Sequence, residues 1–137
     1  MTVLAALQAA LGVEEQVVYG YGALGARLSG AEEKYAGTCL VVHMQRRDAL
    51  RQLVVDAGGQ PVAAAPAYQL PFRLDGPSAA RRLAVRLEQA SAGAAWDLIA
   101  NSTPATAPRA SGVAWLGDAG IRLEHWGAEL ALPGQPD

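Results

Sequence analysis

Residues 58–76 read GGQPVAAAPAYQLPFRLDG, and this stretch decides the fold. Pro61, Pro66 and Pro71 exclude a helix interior here, because proline lacks the amide proton and clashes with the preceding turn. Gly58-Gly59 is a helix-stop signal, and Pro77 suits the first turn of a new helix. Connections of this length are uncommon inside a compact domain. A long crossover gives it a role: it carries the chain along a bundle, so that the next helix starts at the far end.

The rest of the chain follows from that placement. All 8 prolines fall after residue 60, which leaves the first part free to be helical. The first helix is expected from about Thr2 to Leu28. Its stripe is Leu4, Leu7, Leu11, Glu14, Val18, Tyr21, Gly25 and Leu28, in strict 3-4 alternation. Ser29-Gly30-Ala31-Glu32 has the form of a capping box, so the second helix starts after a very short turn and runs antiparallel to about Ala57. Its inner face is Cys39, His43, Arg46, Leu50 and Leu53. After the crossover, a third helix is expected over Pro77 to Ala100, with Ala84, Leu87, Glu88, Ser91, Ala95 and Leu98 inward. Asn101 to Pro108 forms a turn. A fourth helix over Arg109 to Leu130 presents Trp115, Asp118, Arg122 and Trp126, and 131–137 is a tail. Helix, short turn, helix, long crossover, helix, turn, helix is the ferritin-like arrangement of an all-α four-helix bundle.

Composition agrees. A chain of 137 residues, 51% of them apolar and 18% charged, makes one domain with a real core and not a disordered segment. The apolar residues are mostly Ala, Leu and Val, which favours close-packed helices. A net charge of −2 gives no argument for nucleic acid or for an anionic membrane surface. No apolar run reaches the roughly 20 residues of a membrane span. Residues 1–12 lack the basic start of a signal peptide, and Glu14-Glu15 ends their apolar run. The single cysteine, Cys39, excludes an internal disulfide and fits a reducing, cytoplasmic setting.

Several motifs together resemble a small bacterial ferritin-like family of unknown function. Glu14-Glu15-Gln16-Val17-Val18-Tyr19-Gly20-Tyr21-Gly22 is similar to its first-helix motif, where a Glu, often followed by His, precedes Tyr-Gly-Tyr-Gly. His43-Met44-Gln45-Arg46-Arg47-Asp48 is similar to its second-helix motif of His followed by Arg-Arg-Asp. Residues 65–72 resemble its crossover, Arg86-Leu87-Glu88 with Trp96 its third helix, and Trp126 with Pro133-Gly134 its carboxyl end. The resemblance covers nearly the whole chain. It implies a ferritin-like four-helix bundle and no established activity. Two positions depart from the pattern: Glu15 stands where a His often sits, and Asp118 where the fourth-helix carboxylate is usually Glu.

The stripes themselves are interrupted by Glu14, His43, Glu88 and Asp118, one on each helix, and a bundle that buries its stripes brings such residues together. A dinuclear iron centre needs four carboxylates and two histidines, with Glu-x-x-His on two helices. That spacing is missing: Leu40 precedes His43 by three, Ile121 follows Asp118 by three, and Arg122 precedes His125 by three. Glu14, His43, Glu88 and Asp118, with Glu15 as a fifth, would suffice for one iron, manganese or zinc ion. Arg46, Arg47 and Arg122 lie beside them and carry a positive charge that is not given up. Three guanidinium groups offset three buried carboxylates without any ion, and buried carboxylates must be paired.

The expectation is therefore a buried network of Glu14, His43, Arg46, Arg47, Glu88, Asp118 and Arg122, with no metal cofactor, in a non-catalytic binding or scaffold protein. The competing expectation is an iron- or manganese-dependent oxidase or metal-handling protein built on Glu14, His43, Glu88 and Asp118. A third is a pocket in which the ionic cluster grips a small polar ligand. Homodimerisation is expected, and no nucleic-acid or membrane partner. Tyr19 and Tyr21 are expected to pack with their hydroxyls on the cluster, and Cys39 to be a small buried apolar group. Gly20, Gly22 and Gly25 are expected to admit another backbone, from the crossover or from a second subunit. Trp115 and Trp126 are expected as a pair in the core. Tyr68 to Phe72 is expected to cover the outer groove of helices 1 and 2.

Overall fold

The computed structural model describes residues 1–127. Among these the chain is all helical, with four helices and no strand: α1 (Val3–Gly25), α2 (Gly30–Asp56), α3 (Pro77–Ala100) and α4 (Ala107–His125). No helix among the described residues is long and apolar enough to cross a membrane.

The helix ends follow local chemistry. Thr2 caps α1, its hydroxyl accepting from the Ala5 N–H at 3.0 Å. At the end of α2, Gly58 takes a positive φ of 88°, a conformation open to glycine at little cost. The Gly58 and Gly59 amides then donate to the carbonyls of Val55 and Val54, each at 2.9 Å. These two bonds form a Schellman motif. Pro77 lies in the first turn of α3, as its missing N–H allows.

Two expectations about helix ends need correction. Ser29 is the N-cap of α2 but makes no side-chain capping bond. Glu32, the expected partner, instead accepts two bonds from Arg81 of α3, at 2.6 and 2.7 Å. A charged two-pronged pair outcompetes a neutral backbone amide. Helix α4 stops at His125, short of Leu130, because Gly127 adopts a φ of 89° and donates to the Glu124 carbonyl at 3.1 Å. The expected tail lies outside the described residues.

Helix α1 packs against α2 and α3, and α3 packs in addition against α4. The crossover runs along α1 from one end to the other. Gln8 grips its start, donating to the Gln60 carbonyl at 2.5 Å and accepting from the Val62 amide at 2.9 Å. Further along, the Tyr68 ring meets Tyr19 edge-on, and Phe72 lies 4.6 Å beneath the Arg82 guanidinium of α3. The apolar loop segment thus follows α1 and α3, and not the outer groove of α1 and α2, because the crossover must deliver the chain to Pro77 at the start of α3. Gly20 is likewise used differently from expectation: a Cβ there would stand 2.6 Å from a methyl of Leu87, so its partner is a side chain of α3. Gly22 and Gly25 face open space.

The fourth side of the bundle, between α2 and α4, has no comparable backbone approach. Side chains bridge it instead. Tyr35 stacks on His125 with centroids 3.5 Å apart, and Arg46 lies 5.3 Å from the Trp115 ring. Trp115 and Trp126 therefore serve separate regions.

The core is split. One apolar group holds Leu7, Leu11, Leu50, Val54 and Leu98. The other holds Tyr21, Leu24, Cys39, Leu83 and Trp126. On α1, α2 and α3 the residues between these groups are Glu14, then His43 with Arg46, then Glu88 with Ser91. A polar layer therefore crosses the bundle at mid-height.

Candidate functional site

Each polar side chain in that layer occupies an apolar stripe position, so helix packing drives it inward. His43 and Glu88 are fully buried, and Glu14 is 2% exposed. An ionised carboxylate only accepts hydrogen bonds. The His43 ring meets one carboxylate on each side: Nδ1 lies 2.6 Å from Glu14 Oε2, and Nε2 lies 2.9 Å from Glu88 Oε2. Two flanking carboxylate acceptors favour the doubly protonated ring, an imidazolium. Burial by itself would push the imidazole down, but hydrogen bonds to Glu14 and Glu88 outweigh it and raise its pKa. Burial opposes ionisation of Glu88 too, yet His43 and Arg122 hold its carboxyl at about 2.

The remaining lone pairs are met by neighbours. Ser91 donates to Glu14 Oε1 at 2.6 Å and accepts from Arg46 Nη1 at 3.0 Å. Arg122 Nε donates to Glu88 Oε1 at 2.8 Å. The Tyr21 hydroxyl donates to Glu88 Oε2 at 2.6 Å and accepts from Trp126 Nε1 at 3.1 Å. Burial, followed by the Glu88 charge, holds that phenol far above its ordinary range, so it stays neutral. Its ring stacks on His43 at 5.5 Å.

Five of the expected residues therefore meet: Glu14, His43, Arg46, Glu88 and Arg122. Two stand apart. Asp118 is 56% exposed along its side chain and comes no closer to the layer than 3.9 Å from Arg46 Nη2. Arg122, four residues after Asp118 on α4, turns instead to Glu88. A third carboxylate is cheaper to leave in water than to bury without a cation of its own. Arg47 also stays out of the layer, bonded to its neighbour Asp48 at 3.1 Å. Glu15 is buried on a separate site, held by Arg51 Nη2 at 2.7 Å.

Ser91 and Arg51 are the contributors that the sequence does not single out. A polar residue three positions after Glu88 in an apolar stripe is the available signal for Ser91. For Arg51 the signal is only that a second buried carboxylate requires a cation.

The geometry bears on chemistry. The two carboxylates sit on opposite edges of one imidazole, so they do not converge on a common point with a free nitrogen lone pair. Among the described residues no group of three or more His, Cys, Asp or Glu could hold a metal ion. Cys39 is buried, and burial pushes its thiol up, so it is not poised as a nucleophile. What the layer can do is hold one proton between two carboxylates and present two guanidinium groups, those of Arg46 and Arg122, toward the side where α2 and α4 stand apart.

A family described as a domain of unknown function, DUF4439, matches residues 6–137. Among solved structures, the chain is similar to a conserved hypothetical protein, rv2844, from Mycobacterium tuberculosis. The two are 31% identical, with a TM-score of 0.83 over 89% of this chain and 92% of the other. No curated protein matches it.

Proposed function

The chain belongs to the DUF4439 family of unknown function, and on that premise we propose a non-catalytic binding or scaffold protein on a ferritin-like frame. In this reading a charge-balanced network replaces the dinuclear metal centre. One observation carries it: both nitrogens of His43 are occupied by Glu14 and Glu88, while Arg46 and Arg122 supply the positive charge that a metal would bring. The long crossover between α2 and α3 supports the ferritin-like frame. A buried, uncombined Cys39 supports a reducing cytoplasm. Val113 and Ile121, exposed on α4, support a second copy as partner.

Elemental analysis of untagged protein, purified without chelators and then loaded anaerobically with iron(II) and manganese(II), tests the reading. The expected result is metal well below one equivalent in every preparation. Near-stoichiometric metal that Glu14→Gln or His43→Ala removes would overturn it in favour of redox or metal-handling chemistry.

A further inference from the structure

Arg46, Arg47, Arg51, Arg81 and Arg122 each have a carboxylate at ion-pair distance. Arg27, Arg73, Arg82 and Arg86 are exposed and have none among the described residues. These four gather around one ring. The Arg82 guanidinium lies 4.6 Å from the Phe72 centroid, and that of Arg86 lies 6.0 Å from it. Phe72 also lines an open groove of about 480 Å³ between the end of α1 and the last part of the crossover, together with Leu70, Leu74, Arg27 and Arg73. Asp75 lines the same groove, so four positive charges stand against one negative. The chain as a whole carries −2, so this excess is local.

Arg82 and Arg86 are one helical turn apart on α3, where like charges repel. The electron-rich ring of Phe72 attracts both without neutralising either. It also restrains two long side chains that would otherwise lose their freedom on meeting a partner. The result is positive charge held in place beside partly buried apolar groups. A nucleic acid finds no free ring to stack a base on, because both cations already draw on Phe72. A bilayer finds no large apolar side chain to take in, since Leu70, Phe72 and Leu74 are only partly exposed. The groove is open to the surface, which suits a chain laid across it better than an enclosed small molecule.

We propose that this face binds an extended acidic segment of a partner protein, its carboxylates on the four arginines and one apolar side chain against Leu70 and Leu74. Arginine clusters recognise acidic motifs through charge-assisted hydrogen bonds, and a guanidinium fits a planar carboxylate. Asp75 opposes the segment from within the groove. The proposal rests on reading the protein as a binding protein and names the kind of partner. Its failure would leave the metal-free network untouched.

The test is fluorescence anisotropy of the full chain with three labelled probes: a peptide of glutamates around a single leucine, the same peptide with alanine for leucine, and a single-stranded oligonucleotide. Co-sedimentation with vesicles of anionic lipid completes the set. The leucine peptide is expected to bind saturably, several-fold tighter than the alanine peptide, and to weaken as salt rises. Arg73→Gln is expected to weaken it about two- to fivefold, and Arg27→Gln with Arg73→Gln further. Arg109→Gln makes the same charge change in the first turn of α4, at the other end of the bundle, and should alter nothing. Asp75→Asn should tighten binding. Arg27, Arg73 and Asp75 are exposed, so these variants should keep the helical circular dichroism. The proposal is overturned if neither peptide binds, if both bind equally, or if the oligonucleotide or the vesicles bind better. Equal weakening by Arg73→Gln and Arg109→Gln also overturns it, since net charge alone would then explain the binding. A protein that retains stoichiometric metal would instead sink the reading on which the proposal rests.

Discussion

His43 holds its proton only because Glu14 and Glu88 face it from both sides, and each carboxylate depends in turn on that proton. Removing one partner leaves an uncompensated buried charge. Glu88→Gln is expected to lower stability by about 3–5 kcal/mol in urea unfolding. Asp118→Asn, exposed and outside the layer, should stay within about 0.5 kcal/mol. The pH dependence has two signs. His43 is raised in the fold above its unfolded value of about 6.5, so its contribution is complete below that pH and is lost as pH rises through the folded value. Glu88 is lowered from 4.5 to about 2, so its contribution is complete above 4.5 and is lost as pH falls toward 2. The urea midpoint should therefore be highest between these two limits. In His43→Gln the part of the alkaline decline that starts near the unfolded histidine value should vanish, leaving the later loss from Cys39 and Tyr21, whose buried groups keep protons that the unfolded chain gives up.

Among the helices, α4 is the one whose faces the sequence assigns least well. It makes a close backbone interface with α3 alone, so its other faces meet only side chains or solvent. A stripe of apolar and polar residues does not say which edge faces the neighbour and which faces the open side. Asp118, on such a helix, reads as a core residue and stands in solvent, whereas Glu14 and Glu88 lie on α1 and α3, each packed against two other helices, and His43 on α2 is held inward by its bonds to both. Proline and glycine are more reliable: Pro77 and Gly58 act through their own backbones, so they mark helix ends whatever packs nearby. The Ser29 capping box fails as a signal because its partner Glu32 is free to choose Arg81, a residue 49 positions away. Glycines inside helices divide in the same way. A Cβ at Gly112 would come within 2.9 Å of Ile99 Cγ1 and 3.2 Å of the Ala95 carbonyl, where α3 and α4 touch. Gly112→Ala should lower stability by about 1–3 kcal/mol. Gly22 meets nothing, so Gly22→Ala should raise stability by up to about 1 kcal/mol. Paired thermal denaturation of the two variants checks both signs.

Seen whole, the molecule is two antiparallel helix pairs, α1 with α2 and α3 with α4, joined mainly by the contact of α1 with α3. If the outer faces of α4 meet a second copy, sedimentation equilibrium should give a mass near twice 14.2 kDa. Replacing both Val113 and Ile121 with Asp should then return the monomer. The polar layer draws on both pairs: Glu14, His43 and Arg46 come from one, and Glu88, Ser91 and Arg122 from the other. If each pair forms before the two meet, the layer loses its water last. Interactions completed so late are absent from the barrier crossed in folding and must all be broken in the return direction. The layer thus governs how long a folded molecule lasts more than how quickly it forms. Glu88→Gln should speed unfolding in stopped-flow measurements and leave the refolding rate nearly unchanged.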